Sequence, residues 1–240
     1  MQAVILAGGL GTRLWPLTKD VPKPMVPVAG VPYLEHQLRR LREQSVLDIV
    51  LLTGYLGEQI EDYFGDGSRM GLSIAYSRER TPLGTGGALR EASPLLADTF
   101  LVIYGDSYLP IDYPAVLRQL ESSSADGLLV VYDNGEGDTS VKNNVNLDAD
   151  GFVRQYEKDS SEALAYVEAG VLAFRKRVVN LIAAEGIVSL EKAIFPKLIA
   201  RHCLIAHATR QRFYDIGTPE RLQAIERLLA HDHHQDTISH

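Results

Sequence analysis

The sequence predicts an α/β fold: a doubly wound, mixed but mostly parallel sheet with helices on both faces. Three observations predict it. Short apolar runs, rich in β-branched or aromatic residues, recur at 4–7, 47–53, 72–76, 100–104 and 127–132; helical patterns fill the gaps; and a glycine-rich turn follows the first run. Continuous apolar runs of this length suit strands buried on both faces, and strands alternating with helices build right-handed βαβ units around a parallel sheet.

The elements follow in order. VILA (4–7) is the first strand. Pro32 then opens YLEHQLRRLREQ, where Leu34, Leu38 and Leu41 share one helical face and proline takes a tolerated first-turn position. LDIVLLT (47–53), LSIAY (72–76), FLVIY (100–104) and GLLVVY (127–132) supply further strands, with GEQIEDYF, GGALREA and YPAVLRQLESS as the helices between them. Beyond residue 132 the alternation stops. VKNNVNLD, the turn-former Asp150-Gly151, FVRQYEK and AYVEAGVLAF read as consecutive strands, an antiparallel or mixed extension. YDIGTPERLQAIERLLA then closes the fold: Thr218 caps a helix, Pro219 is its first residue, Glu220 lies in its first turn, and Leu222, Ile225 and Leu229 form the face that packs back. The polar, histidine-rich stretch 231–240 reads as a disordered tail rather than a metal site.

Composition excludes several classes of function. Across 240 residues, 31 acidic against 24 basic side chains give a net charge of −7, which argues against a broad surface for nucleic acid or anionic lipid. A bound anion must therefore be held by a local cluster. Cys203 is the one cysteine, so there is no intramolecular disulfide and no thiol-based zinc site. The run Ala3 to Ala7 is too short for a signal-peptide core and no stretch approaches a membrane span, so the expectation is a cytoplasmic protein without a membrane partner.

The chemistry concentrates in LAGGLGTR. A dinucleotide fingerprint would need glycine where Leu14 stands, and a Walker A loop would need lysine where Arg13 stands. What remains is a loop whose glycines, Gly8, Gly9 and Gly11, are expected to take conformations barred to other residues and to turn N–H groups toward an oxyanion, with Arg13 as a forked permanent cation. Lys23, set between Pro22 and Pro24, reads as an ammonium presented from a stiff segment. Taken singly, a plain strand-to-helix turn and a solvated loop charge explain the glycines and Lys23 equally well.

Taken together, LAGGLGTRL…PKPM resembles the signature of the sugar-1-phosphate nucleotidyltransferases, which make nucleotide sugars from a nucleoside triphosphate and a sugar phosphate. Further matches follow in order: PLGTGGAL (82–89), IYGDS (103–107), YEK (156–158), VEAGVLAF (167–174) and FYDIGTPERL (213–222). The resemblance covers nearly the whole chain. It implies a Rossmann-like nucleotide-diphospho-sugar transferase fold as a single domain over 1–230, with a nucleotide-binding part to about 132 and a sugar-phosphate part and closing helix from about 133.

The resemblance also assigns residues. Leu6, Ala7, Gly8, Gly9, Gly11, Thr12, Arg13 and Lys23, with Pro82, Gly84, Thr85 and Gly86, would hold the nucleotide. Gly105, Ser107, Glu157, Lys158, Glu168 and Gly170 would hold the sugar phosphate. Asp106 and Asp215 would bind Mg²⁺, and Arg13, Lys23 and Asp106 would act at the reacting centre. The reaction needs no protein nucleophile, since the sugar phosphate attacks the α-phosphorus directly and expels pyrophosphate. PLGTGGAL, YGDS, SLEKAIFPKL and FYDIGTPERL look most like the D-glycero-D-manno-heptose 1-phosphate guanylyltransferases, and Trp15-Pro16 is similar to the mannose-1-phosphate guanylyltransferases. GTP with a heptose or mannose-like sugar is thus the first expectation. UTP with N-acetylmuramate 1-phosphate or another hexose 1-phosphate is the second, and an inactive nucleotide-sugar-binding regulator the third. The expected partners are the two small substrates; a homo-oligomer is compatible with the sequence.

Overall fold

The computed structural model describes residues 1–158 and 160–236, with side chains described as far as residue 230. Its elements run β1 (Gln2–Leu6), β2 (Pro27–Val28), β3 (Val31–Pro32), α1 (Tyr33–Glu43), β4 (Asp48–Thr53), α2 (Gly57–Phe64), β5 (Ser73–Arg78), α3 (Gly84–Glu91) and β6 (Thr99–Tyr104). Then come β7 (Ser107–Tyr108), α4 (Tyr113–Glu121), β8 (Gly127–Tyr132), β9 (Val145–Leu147), β10 (Val153–Tyr156), β11 (Val167–Arg175), α5 (Phe195–Ala200), β12 (Leu204–Thr209), β13 (Tyr214–Asp215) and α6 (Pro219–Asp236).

Seven strands form one sheet in the order β12-β8-β11-β6-β1-β4-β5. All neighbours are parallel except β11, which runs antiparallel to both β6 and β8. The five apolar runs expected as strands are β1, β4, β5, β6 and β8. Period-two alternation sorts their side chains to two faces: Ala3 and Ile5 of β1 join one core while Val4 joins the other. Helices α1, α2 and α4 cover the first face through residues such as Leu34, Leu38, Leu41, Ile60 and Leu117. Helices α3 and α5 cover the second through Leu89, Phe195 and Leu198. Each such fully buried leucine contributes roughly 1.5–3 kcal/mol.

Pro32 lies one residue ahead of α1, as its cap. α6 starts at Pro219 as expected, and Arg221 N–H donates to Thr218 Oγ1 at 3.4 Å. Ile225 and Leu229 bury against Val28, Tyr33, Tyr108 and Ile216. The α6 backbone continues past residue 230 to Asp236, so the first part of the stretch 231–240 expected as a disordered tail is helical, and 237–240 lie outside the described residues. Among the described residues no helix is long and apolar enough to cross a membrane.

Two features place the functional region. First, α1 and α2 lead outward from β1 through β4 to β5, after which the chain returns through α3, on the other face, to β6 on the far side of β1. The winding therefore reverses between β1 and β6, and a crevice opens at their carboxyl ends, where such sheets bind ligands. Second, β11 belongs to the later part of the chain yet sits in the middle of the sheet, so the parts of the chain before and after residue 132 share one core. The hairpin of β9 and β10 stands as its own small ribbon.

Candidate active site

At the reversal between β1 and β6 lies a cleft of about 480 Å³. Leu6, Ala7, Gly8, Gly9, Gly11, Thr12, Arg13, Lys23, Pro82, Gly84, Thr85, Gly105, Asp106 and Lys158 all line it, from segments up to 152 positions apart in the chain. Arg13 makes no ion pair among the described residues, so its charge is available to a ligand.

Lys23 is a positioned charge rather than a solvated one. The Pro22 and Pro24 flanks hold it in a single tight turn, Lys23–Met25; it is 9% exposed, and its Nζ stands 2.5 Å from Asp106 Oδ2. Asp106 is carried by the end of β6, and its backbone carbonyl accepts the Ile216 N–H at 3.0 Å. That bond continues the small ribbon of β7 and β13, in which Asp215 pairs with Ser107, and so brings the Asp215 backbone beside that of Asp106 from far apart in sequence. Asp215 is itself held: Arg221 Nη1 donates to Oδ2 at 3.0 Å and Gly217 N–H to Oδ1 at 2.6 Å. Hydrogen bonds engage only Oδ2 of Asp106 among the described residues.

The glycine loop behaves differently from its expected conformation. Only Gly11 takes a left-handed conformation, with φ +64°, while Gly8 and Gly9 do not. A Cβ on Gly8 would approach Glu79 Oε1 at 3.0 Å, and one on Gly9 would meet nothing within 4 Å. The requirement at Gly8 is thus close packing, and at Gly9 open space for whatever enters the cleft.

Several expected residues stand behind the lining. Gly86 N–H is committed to the Val188 carbonyl at 2.8 Å and supports the start of α3. Ser107 is buried, and its carbonyl accepts from Gln37 Nε2 at 2.5 Å. Glu157 is exposed, its N–H spent on the Asn144 carbonyl. Glu168 is the one acid in the apolar strand β11; the register breaks between it and Leu172, at Gly170, whose φ is +78° and whose N–H donates to Glu168 Oε1 at 2.6 Å. Burial pushes the Glu168 carboxyl up to about 7, with Lys158 and the Gly170 N–H opposing and Glu191 and Asp106 reinforcing.

Three polar side chains that line the cleft escaped the sequence reading. Glu79 accepts the Leu83 N–H at 2.9 Å and lines the cleft; burial raises its carboxyl above the usual value. Tyr104, at the end of β6, and Glu191 line it from the second face, with Tyr104 Oη donating to Glu191 Oε1 at 3.0 Å. The one signal for Glu191 was its place in SLEKAIFPKL, as the single acid of that stretch, five residues ahead of Pro196.

The cleft thus combines three cations, Arg13, Lys23 and Lys158, with a glycine loop at a topological reversal, which is the architecture of a protein that handles a phosphorylated nucleotide. The chain belongs to the nucleotidyl transferase family, whose model matches residues 2–231. It is 38% identical over 92% of its length to the mannose-1-phosphate guanylyltransferase of Mycobacterium tuberculosis, of which it spans 62%. It is 34% identical, over 92% of its own length and 96% of the relative's, to the D-glycero-alpha-D-manno-heptose 1-phosphate guanylyltransferase of Campylobacter jejuni. The solved structure of HddC from Yersinia pseudotuberculosis complexed with GMP-PN superposes with a TM-score of 0.80 at 28% identity, covering 95% of this chain and 99% of that one.

Proposed function

We propose that the protein transfers a nucleotidyl group from a nucleoside triphosphate to a sugar 1-phosphate, releasing pyrophosphate, with GTP as donor and D-glycero-D-manno-heptose 1-phosphate or a mannose-like sugar phosphate as acceptor. The observation that carries this reading is the convergence of Arg13, Lys23, Asp106 and Lys158 on one cleft. The two guanylyltransferase relatives and the GMP-PN held by the Yersinia protein support GTP over UTP.

Two polyanions must meet in such a cleft. At an effective dielectric near 20, each pair of unit charges about 4 Å apart repels by roughly 4 kcal/mol. Arg13 neutralises the departing pyrophosphate, Lys23 faces the phosphates at the reacting centre, and Lys158 holds the sugar phosphate with its oxygen in line. Glu168, behind the cleft wall, supports the sugar-phosphate side through its bond from the Gly170 N–H. The donor set also fits a divalent cation. Among the described residues no group of three or more His, Cys, Asp or Glu side chains is placed to cage a metal, whereas the Asp106 and Asp215 pair offers the two hard oxygen ligands that Mg²⁺ supplements with phosphate and water. When bound there, Mg²⁺ supplies charge neutralisation to the phosphates.

The test is a pyrophosphate-release panel crossing GTP, UTP, ATP, CTP and dTTP with mannose, D-glycero-D-manno-heptose, glucose and N-acetylmuramate 1-phosphates in Mg²⁺. Turnover is expected with GTP and a manno-configured sugar. Turnover confined to UTP would reassign the base, and none with any pair would make the chain a silent binder.

A further inference from the structure

Glu191 enters the cleft from the wide helical turn Leu190–Ile194 that leads into α5. Its side chain is 11% exposed, and both oxygens are fully engaged. Oε1 accepts from Tyr104 Oη at 3.0 Å and Lys158 Nζ at 3.3 Å; Oε2 accepts from Ser189 Oγ at 2.6 Å and Thr85 Oγ1 at 3.1 Å. Thr85 Oγ1 in turn accepts the Leu190 N–H at 2.8 Å. Burial alone would raise this carboxyl, but Lys158 and the donors on Ser189 and Tyr104 outweigh it and hold it at about 2, so the group is an anion at any physiological pH.

A carboxylate so far from water is costly unless its lone pairs are met, and four donors meet them. Three of the four, Tyr104, Thr85 and Lys158, belong to the cleft itself, and two of these come from opposite halves of the proposed site: Thr85 from PLGTGG on the nucleotide side, and Lys158 on the sugar-phosphate side. Lys158 needs such an anchor. Its side chain is 53% exposed, it follows a short strand rather than sitting in one, and a free lysine carries about 2 kcal/mol of rotamer entropy that a bound phosphate would otherwise have to overcome.

We propose that Glu191 is a positioning residue for the acceptor: its carboxylate, fixed to Tyr104, Ser189 and Thr85, holds the Lys158 ammonium where the sugar phosphate arrives. This rests on the transferase reading above. The ammonium has donors to spare, so it keeps Glu191 while taking phosphate oxygens.

Two measurements test it. With GTP and mannose 1-phosphate, or whichever pair of the panel turns over, Glu191→Gln is expected to raise the sugar-phosphate KM by about tenfold while leaving the GTP KM within about twofold. Lys158→Ala is expected to do the same, and the double variant to be no worse than Lys158→Ala alone. Independently of any substrate, trace labelling with acetic anhydride read by mass spectrometry is expected to show Lys158 several-fold more reactive in Glu191→Gln than in the parent. Unchanged Lys158 reactivity, an equal rise in both KM values, or fully multiplicative effects in the double variant would each overturn the proposal. Should Glu191→Gln fail to fold, Glu191→Asp, which keeps the charge one methylene short, is expected to give an intermediate Lys158 reactivity, and parental reactivity there counts against it. A parent that turns over no pair would remove the transferase reading and the acceptor role together, while the labelling result would still report on the ion pair.

Discussion

Lys23 and Asp106, 2.5 Å apart, show how two residues of opposite charge serve one cleft. Asp106→Asn keeps an oxygen to accept from Lys23, so folding should survive while the charge proposed to hold Mg²⁺ is lost. Turnover is expected to fall by at least about a hundredfold in the pyrophosphate assay, with far-ultraviolet circular dichroism unchanged. Near-parental turnover would take Asp106 out of the site. Glu168 makes a different prediction. Its folded carboxyl titrates near 7 against an ordinary 4.5, so the folded chain binds the extra proton and this group's contribution is full below about pH 4.5 and lost as pH rises through 7. The loss amounts to about 3 kcal/mol. Glu168→Gln has no proton to lose, so urea titrations should show it gaining stability relative to the parent between pH 5 and pH 8. A difference that stays flat with pH would contradict the raised titration.

At the scale of elements, the bulge in β11 and the glycine loop after β1 make opposite demands. A Cβ at position 170 would sit 2.3 Å from Ser107 Oγ, on a residue whose φ is already +78°. Gly170→Ala is therefore expected to cost about 1–3 kcal/mol in chemical denaturation and to disturb Glu168 beside it. Gly9→Ala meets no atom within 4 Å and should stay within about 0.5 kcal/mol of the parent, its effect falling on nucleotide binding instead. Equal destabilisation by both would mean that the strand break is not what fixes position 170. The ribbon of β7 and β13 does comparable work: only two residues long in each strand, it sets Asp215 opposite Ser107 and next to Asp106.

For the whole molecule, the cleft sits where the winding of the sheet reverses, and its walls come from both faces and from the α6 end of the chain. A ligand that fills it ties these parts together and stabilises the folded state by mass action. GTP at about one hundred times its dissociation constant contributes roughly 2.7 kcal/mol, which for a domain of this size raises the melting midpoint by roughly 5–10 °C. Differential scanning fluorimetry with GTP and Mg²⁺ reads this directly, and an unchanged midpoint at saturating GTP would argue against the cleft as a nucleotide site.

The sequence by itself determined the parallel strands, the capped closing helix and the glycine loop that lines the cleft, because each is written locally: apolar runs of strand length, Thr218-Pro219 ahead of a helical stripe, and glycines followed by Arg13. It also named fourteen residues that the fold gathers on one cleft. Only the tertiary structure decided that β11 inserts antiparallel between β6 and β8, because the apolar pattern of a doubly buried strand carries no direction. Only it separated Gly11, which needs its left-handed backbone, from Gly8 and Gly9, which do not. And only it revealed Glu191, 33 positions beyond Lys158 and 106 beyond Thr85, since a buried acid becomes meaningful through donors that long-range packing alone delivers.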